Sequence, residues 1–387
     1  MITVALVGLN LRPFMTSIGP VVNRIKADMG LGLQGIALLT LVPMLLMGVI
    51  ALLGPWIHNT LGERKASLIA LSLICIGCAS RFIAPNGLLL IGTAGAIGLG
   101  VAMLQVTFPS LIKREFADQM GPMMGLYSAM LMGGGALGAF LTPLITAQYG
   151  SWQFGLAIFS VPALVALLLA ARYLAQPSQH KLQSASISLF LSQPRTWLLI
   201  VCFGLINSGY TSIVAWLAPA YQELGWSAKS SGNLMAILTL CQAISALVLP
   251  YLARKNQDRR LWLSAALVMQ IVGFAGLVFI PQMFAYVWVM LIGAGLGGCF
   301  ALMMIIVLDH LSDPVMAGQL SALMQGGGFL IAAIAPWWVA ILHDITASYT
   351  TAWMLQLFMV IVVTTLVYKF NPRHYADVID VEGKRSI

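Results

Sequence analysis

The stretch "MGLYSAMLMGGGALGAFLTP", residues 124–143, returns in altered form as "AGQLSALMQGGGFLIAAIAP", residues 317–336. At a shift of 193, Ser128-Ala129 falls on Ser321-Ala322, Gly133-Gly134-Gly135 on Gly326-Gly327-Gly328, and Pro143 on Pro336. Other segments pair at a shift of 195. "PWIHNTLGERK" (55–65) lies over "PYLARKNQDRR" (250–260), and Thr16-Ser17-Ile18 over Thr211-Ser212-Ile213. "GLGVA" (98–102) lies over "GLGGC" (295–299). A nearly constant shift means that the second half of the chain repeats the first.

The composition says what is being repeated. Of 387 residues, 60% are hydrophobic and only 8% charged, and the mean hydropathy is +0.92. Soluble domains carry roughly a quarter charged residues, so the solvent for most of this chain is lipid. Reading apolar runs between charged or turn-rich breaks gives twelve spans, at about 1–27, 34–58, 65–84, 87–112, 121–147, 151–174, 195–222, 229–253, 261–280, 284–308, 315–342 and 348–369. Each is long enough for a membrane helix of about 20 residues, and too long and uniform for a tilted barrel strand. Span n repeats as span n+6, the pattern of parallel repeats about an axis along the membrane normal. The expected fold is all-α and integral to the membrane: twelve transmembrane helices in two pseudo-symmetric six-helix bundles. The bundles are 1–174 and 195–370, joined by a polar cytoplasmic linker at 175–194 with a short surface helix at 185–192. A cytoplasmic tail follows at 371–387. Such a fold puts its site in a central crevice near the midplane, so the sequence reads as a secondary transporter.

The net charge of +8 does not point to nucleic acid. With the N-terminus placed in the cytoplasm, fifteen Lys and Arg fall in inside loops and tails. Four fall outside: Arg24, Lys26, Arg81 and Lys229. The positive-inside rule then sets both termini in the cytoplasm. The first span has no basic segment before it and is too long for a signal-peptide core, so it is expected to stay as a membrane helix. Cys75 and Cys78 form a C-x-x-C inside a span, without His or acidic neighbours, and read as packing. The spans hold no cluster of His, Asp, Glu or Ser of the kind an enzyme needs. No catalysis, cofactor or metal is expected, and the chain reads as a monomer in the bilayer.

Arg12, in "GLNLRPFMTSIGP" (8–20), is the exception to the lipid-like pattern. An Arg at a span centre costs roughly 2.5–3.5 kcal/mol on insertion scales. It sits about 16 Å along the helix at about 1.5 Å per residue, too deep to snorkel. The twelve acidic residues all fall in loops, tails or span ends. A transported anion would supply the missing counter-charge, because guanidinium suits planar, charge-assisted hydrogen bonding. The other reading has Arg12 bonded to backbone carbonyls freed by Pro13. At the 195 shift Arg12 falls on Asn207, in "GLINSGYTSIVAW" (204–216). Spans 1 and 7 then face each other and offer Asn10, Arg12, Thr16, Asn207, Tyr210 and Trp216 to the crevice. Gln105, Tyr127 and Gln325 join them from spans 4, 5 and 11, with Asn233 and Gln242 in span 8.

"LVGLNLRPFMTSIGP", "SLIKREF", "LINSGYTSIVAWL", "ARKNQDRR", "LDH" (308–310) and the two Gly-triplet spans resemble the cyanate permease branch of the major facilitator superfamily, which also holds 2-nitroimidazole exporters. The resemblance runs from residue 4 to about 370. It implies a bacterial inner-membrane transporter of a small anionic solute such as cyanate, working by rocker-switch alternating access. The alternative is export of neutral heteroaromatics such as 2-nitroimidazoles, with Trp216, Tyr210 and Tyr127 lining the pocket and Arg12 structural. The loops after spans 2 and 8 resemble the superfamily's gating loop, which makes Glu63, Arg64, Lys65, Asp258, Arg259 and Arg260 the expected gating residues. The loop departs from the usual pattern in carrying His58 four residues after Gly54, where an Asp is the rule. With no carboxylate in the spans, the expected mode is facilitated anion movement or anion exchange rather than strong proton coupling. His58 and His310 are the remaining proton candidates.

Overall fold

A computed structural model describes residues 1–116, 120–174, 190–311 and 313–375. Eleven helical spans among them are long and apolar enough to cross a membrane. They are Ile2–Met29, Leu33–Leu52, Gly87–Ile112, Met123–Tyr149, Trp152–Tyr173, Pro194–Glu223, Ala228–Ala253, Arg260–Phe279, Ala285–Asp309, Met316–Thr346 and Thr350–Val367. Span 3 is the helix Gly54–Ser80, whose entry is kinked at Gly62 (φ 71°). Only glycine takes that conformation without strain. Span 2 ends at Leu52, not at 58, because residues 54–61 belong to the helical lead-in of span 3. The linker residues 175–189, the expected helix start at 185, the tail beyond 375 and the His58 side chain lie outside what is described.

The repeat is realised in the packing. In the first half span 1 packs on spans 5 and 6, span 4 on spans 2 and 3, and span 3 on span 6. In the second half span 7 packs on spans 11 and 12, span 10 on spans 8 and 9, and span 9 on span 12. The halves join along two long seams, span 2 with span 11 and span 5 with span 8. Twelve crossings bring both ends of the described chain to one face, the terminus face; the opposite face is the far face.

The Gly triplets explain how closely the helices approach. A Cβ on Gly134 would come within 2.0 Å of Leu9 O in span 1, and one on Gly327 within 2.8 Å of Ile200 in span 7. Each triplet lets its helix press against the first span of its own half. Gly326 also meets Leu52 and the Gly48 carbonyl across the span 2–span 11 seam. Small residues are the usual means of close packing in lipid, where apolar burial drives little association.

Span 1 departs from the expected continuous helix. It runs as Ile2–Leu9, Pro13–Thr16, a 3-10 turn Gly19–Val21, and Val22–Met29. Pro13 has no N–H for the Leu9 carbonyl and its ring crowds that carbonyl. The Asn10 side chain takes over part of the lost ladder by donating to Leu6 O at 2.7 Å. Further on, Ile18 N bonds Met15 O, a tighter turn. The Phe14 carbonyl instead accepts from Arg81 Nη1 at 3.3 Å. Irregular backbone at membrane depth persists only when protein buries it, and Leu11 through Val22 are buried throughout. Arg81, read from sequence as an outer-loop charge, is 1% exposed. It supports the broken span, and its Nε also reaches Thr93 Oγ1 at 3.4 Å.

At the terminus face of the second half, Arg195 Nη1 donates to Lys369 O at 2.6 Å and its Nε to His310 Nε2 at 3.0 Å. His310 Nδ1 lies 2.6 Å from Ile306 O, so the proton sits on Nδ1. The Tyr375 ring stacks on His310 with centroids 3.9 Å apart. This clasp ties the start of span 7, the end of span 10 and the chain after span 12. His310 is used structurally here.

Two outcomes follow from these contacts. Gly134→Ala is expected to destabilise by about 1–3 kcal/mol or more through overpacking, lowering the melting temperature in detergent by several degrees. Gly133→Ala, with nothing within 4 Å of the added Cβ, is expected to leave it unchanged. Burial pushes His310 down to about 4 from 6.5, so the folded state holds it neutral while the unfolded state protonates first. Stability is therefore full above pH 6.5 and lost as pH falls from 6.5 towards 4, by about 3 kcal/mol at about 1.36 per pH unit. Melting curves across that window should show this slope for the wild type. They should show it largely gone in His310→Gln, which keeps an acceptor for Arg195.

Candidate substrate site

The break in span 1 fixes where Arg12 points. Arg12 precedes the short helix Pro13–Thr16 with φ −124° and ψ −23°, a conformation that turns its side chain out of the helical path. It is 6% exposed. Its guanidinium carbon lies 4.8 Å from the ring centroid of Tyr210 in span 7, so the contact crosses from one half to the other. Its Nε and Nη1 are buried without any hydrogen-bond partner. No described carboxylate forms an ion pair with it.

Spans 5 and 8 complete the surroundings. A Cβ on Gly135 would stand 3.3 Å from Arg12 Cβ and 3.6 Å from both Thr16 Cγ2 and Thr239 Cγ2. Gly135 thus leaves the space that Arg12 occupies. Thr16 Oγ1 donates to Gly135 O at 2.7 Å and holds spans 1 and 5 together there. The buried Tyr127 hydroxyl, within electrostatic reach of Arg12, has no hydrogen-bond partner either. Its ring lies 5.8 Å from that of Phe108 in span 4. Gln242, one turn beyond Thr239, buries an unpartnered Oε1. Arg12 therefore stands where spans 1, 5, 7 and 8 converge, at the junction of the halves.

The other expected lining residues divide. Asn207 and Tyr210 share span 7, with Asn207 Nδ2 donating to Phe203 O at 2.8 Å. Gln325 Nε2 donates to Ser321 Oγ at 3.3 Å within span 11. Gln105 is half-buried in span 4. Asn10 donates to Pro162 O at 3.2 Å, which ties span 1 to span 6. Trp216 is fully buried and its Nε1 donates to Pro336 O at 2.8 Å, tying span 7 to span 11. Thr239 and Arg81 carried no signal of their own in the sequence, and Gly135 stood out only as part of its triplet. Thr and Gly are common in spans, and Arg81 looked like a loop charge.

Two more buried arginines set Arg12 apart. Arg81 and Arg195 both donate to backbone carbonyls. Arg12 has the face of Tyr210, and its Nε and Nη1 have no hydrogen-bond partner among the described residues. A cation–π contact is worth roughly 0.5–2 kcal/mol. It leaves the directional N–H donors unsatisfied, which costs free energy in a buried site.

The expected gating residues pair within their own halves. Glu63 forms an ion pair with Arg114 at the end of span 4, and Arg64 Nη2 donates to Ala171 O at 3.0 Å. Lys65 is exposed. Asp258 pairs with Arg260 at 2.6 Å, whose hydrogen bonds hold its carboxyl below the usual range. Arg259 pairs with Asp309 at the end of span 10, at 3.4 Å. Arg114 and Asp309 are themselves 195 residues apart, so the repeat keeps a charge pair at this place and exchanges its signs.

The halves also touch at the far face through side-chain amides. Gln222 Nε2 donates to Pro20 O and to Ser231 Oγ, both at 2.9 Å, and Gln222 Oε1 accepts from Asn23 Nδ2 at 2.9 Å. Gln34 Nε2 reaches Asp344 Oδ2 at 3.3 Å across the span 2–span 11 seam.

Comparison with known proteins bears on this arrangement. The sequence model described as "Major Facilitator Superfamily" matches residues 4–336. The chain is 41% identical over 374 residues to the cyanate transport protein CynX of Escherichia coli (strain K12), covering 96% of this chain and 97% of that one. It is 30% identical over 358 residues to the 2-nitroimidazole transporter of the same organism, covering 91% and 90%. Among solved structures, a bacterial homologue of the human lysosomal transporter Spinster, in an inward-facing and unoccupied conformation, superposes with a TM-score of 0.80. Identity is 14%, over 97% of each chain. The D-xylose-proton symporter gives a TM-score of 0.76 at 15% identity, over 95% of this chain and 97% of that one. Fold, repeat and sequence agree: this chain is a transporter of a small-molecule solute and belongs to the major facilitator superfamily.

Proposed function

We propose that the protein carries a small anion, cyanate or a solute close to it, across the bacterial inner membrane by rocker-switch alternating access. The observation that carries this reading is the buried Arg12, whose Nε and Nη1 have no partner. Cyanate is a linear monoanion, and a guanidinium edge binds such an ion with charge-assisted hydrogen bonds. Tyr210 orients the guanidinium from the opposite half, and the Tyr127 hydroxyl is a further donor. Asn207, Thr16, Gln105 and Gln325 contribute polar surface around the ion, while Asn10 and Trp216 hold the spans in place. The long overlap with the E. coli cyanate transport protein supports the solute class.

In this reading residues 1–174 and 195–370 are the two rocking bundles, and the terminus face is cytoplasmic, as the Lys and Arg distribution requires. The pairs Glu63–Arg114 and Arg259–Asp309 stiffen each bundle at that face, and the groups around Gln222 close the other. Rocking exposes Arg12 to one face at a time. The anion neutralises Arg12 during passage, and the mode is facilitated movement or exchange of anions. The protein works as a monomer.

Uptake of labelled cyanate into proteoliposomes, with and without trapped anions, tests this. Hydrogen bonds to charged groups are worth about 1.5–3 kcal/mol, so Arg12→Gln is expected to lose at least tenfold in uptake while inserting normally. Trapped anions should accelerate uptake if the mode is exchange. Cyanate accumulation driven by an inward proton gradient without any counter-anion would overturn the mode. Equal transport of a nitroimidazole by the wild type and Arg12→Gln, with no cyanate uptake by either, would overturn the solute.

A further inference from the structure

A second feature of the far face lies apart from Arg12. Between spans 1, 5, 7 and 8 a cleft of about 370 Å³ opens at the surface of the far face, lined by the exposed Asn23, Arg24 and Lys229 and the half-buried Gln222 among mostly apolar neighbours. At about 30 Å³ per water, it holds roughly a dozen waters, enough for a small anion with much of its hydration shell. No acidic residue lines it. The two nearest in sequence are engaged elsewhere: Asp28 accepts from Trp152 Nε1 at 2.6 Å, and Glu223 pairs with His343 at 3.0 Å. Neither Arg24 nor Lys229 forms an ion pair among the described residues. Arg24 makes one weak bond, from Nη1 to Thr146 O at 3.4 Å. The N-terminus of the 26-residue span 8 also opens here, with Ser227 and Ala228 on the wall. Its dipole adds about half a positive charge.

Two unpaired cations, a helix N-terminus and no carboxylate share one partly apolar concavity. Low-dielectric walls focus such a field and raise the local concentration of anions. The cleft also shares Gln222 with the layer that joins the halves, where Gln222 bridges Pro20, Asn23 and Ser231. An ion held at Arg24 and Lys229 would rest directly against that closure.

We propose that this cleft is an anion-binding antechamber for small anions that supplies the path to Arg12 when the Gln222 layer opens. Its feeding role rests on the anion-transport reading; its anion binding does not. Binding is loose, because the two cations attract the ion through water, whereas Arg12 would contact it directly.

The test uses the full-length protein with Ala147→Cys, an exposed position on the cleft wall. Reaction of this thiol with an anionic and a cationic methanethiosulfonate reagent of similar size reports the local potential. The anionic reagent is expected to react at least about tenfold faster relative to the cationic one than in the Arg24→Gln/Lys229→Gln background. Millimolar thiocyanate should slow it. The preference should fade at high salt, as surface charges are screened. Uptake from the far face forms the second arm. The double substitution should raise KM several-fold at low ionic strength and leave kcat within about twofold. A ratio of the two reagents' rates that is the same with and without Arg24→Gln/Lys229→Gln would overturn the site. A clear reagent preference with an unchanged KM would overturn the feeding role. If the wild type moves no anion while the reagent preference and thiocyanate protection hold, the transport reading falls and the binding site stands.

Discussion

A guanidinium held inside a membrane with no anion among the described residues is the constraint around which the structure is arranged. Arg12 cannot reach water from its depth by snorkelling. The chain accommodates it in four ways. Pro13 interrupts span 1 so that the side chain leaves the helical path. Gly135 gives it room, Tyr210 covers one face across the junction of the halves, and Arg81 holds the Phe14 carbonyl that the broken helix frees. None of these satisfies the donors at Nε and Nη1. That residual demand sits at the junction of the halves, where, in the proposed reading, the solute binds between two rocking bundles.

The same geometry links the site to motion. The Gly triplets bring span 5 onto span 1 and span 11 onto span 7, so the backbone around Arg12 is set by a helix that also forms a seam with the opposite half. A shift along the span 5–span 8 seam must therefore alter the contact of Gly135 with Thr239, beside Arg12. Charge pairs at the terminus face lie within single halves, whereas the hydrogen bonds of Gln222 and Gln34 cross between halves at the far face. Single hydrogen bonds from side-chain amides are easier to break and remake than ion pairs, which in the proposed reading suits a closure that opens in each cycle.

Much of this could be read from residue order. The repeat at 193–195 gave the pairing of spans that the packing realises, and the long apolar runs gave ten of the twelve helices nearly to their ends, missing the boundary between spans 2 and 3. The depth and isolation of Arg12 were legible because a single charge in an apolar run has few explanations. The break at Pro13 was not, since Pro43, Pro143, Pro219 and Pro336 lie inside continuous helices. What separates Pro13 is its neighbours, the capping Asn10 and a buried Arg81, and neither relation is local in sequence. Arg81 itself was misplaced because position near a loop says nothing of whether a long side chain folds inward. The roles of Asn10 and Trp216 as ties between spans depended on knowing which carbonyls, Pro162 and Pro336, stood opposite them. The far-face cleft was hidden for a similar reason: Arg24 and Lys229 belong to different halves and meet only after folding.

Thermal unfolding of the wild type and Arg12→Gln, each with and without cyanate, tests the central claim most directly. An unpaired buried charge costs stability until its anion arrives, so the empty Arg12→Gln protein should be at least as stable as the empty wild type. Saturating cyanate at a hundred times its Kd should stabilise the wild type by about 2.7 kcal/mol and leave Arg12→Gln unmoved. A marked loss of stability in empty Arg12→Gln, with cyanate raising both proteins equally or neither, would show that Arg12 serves the fold and that the anion binds elsewhere.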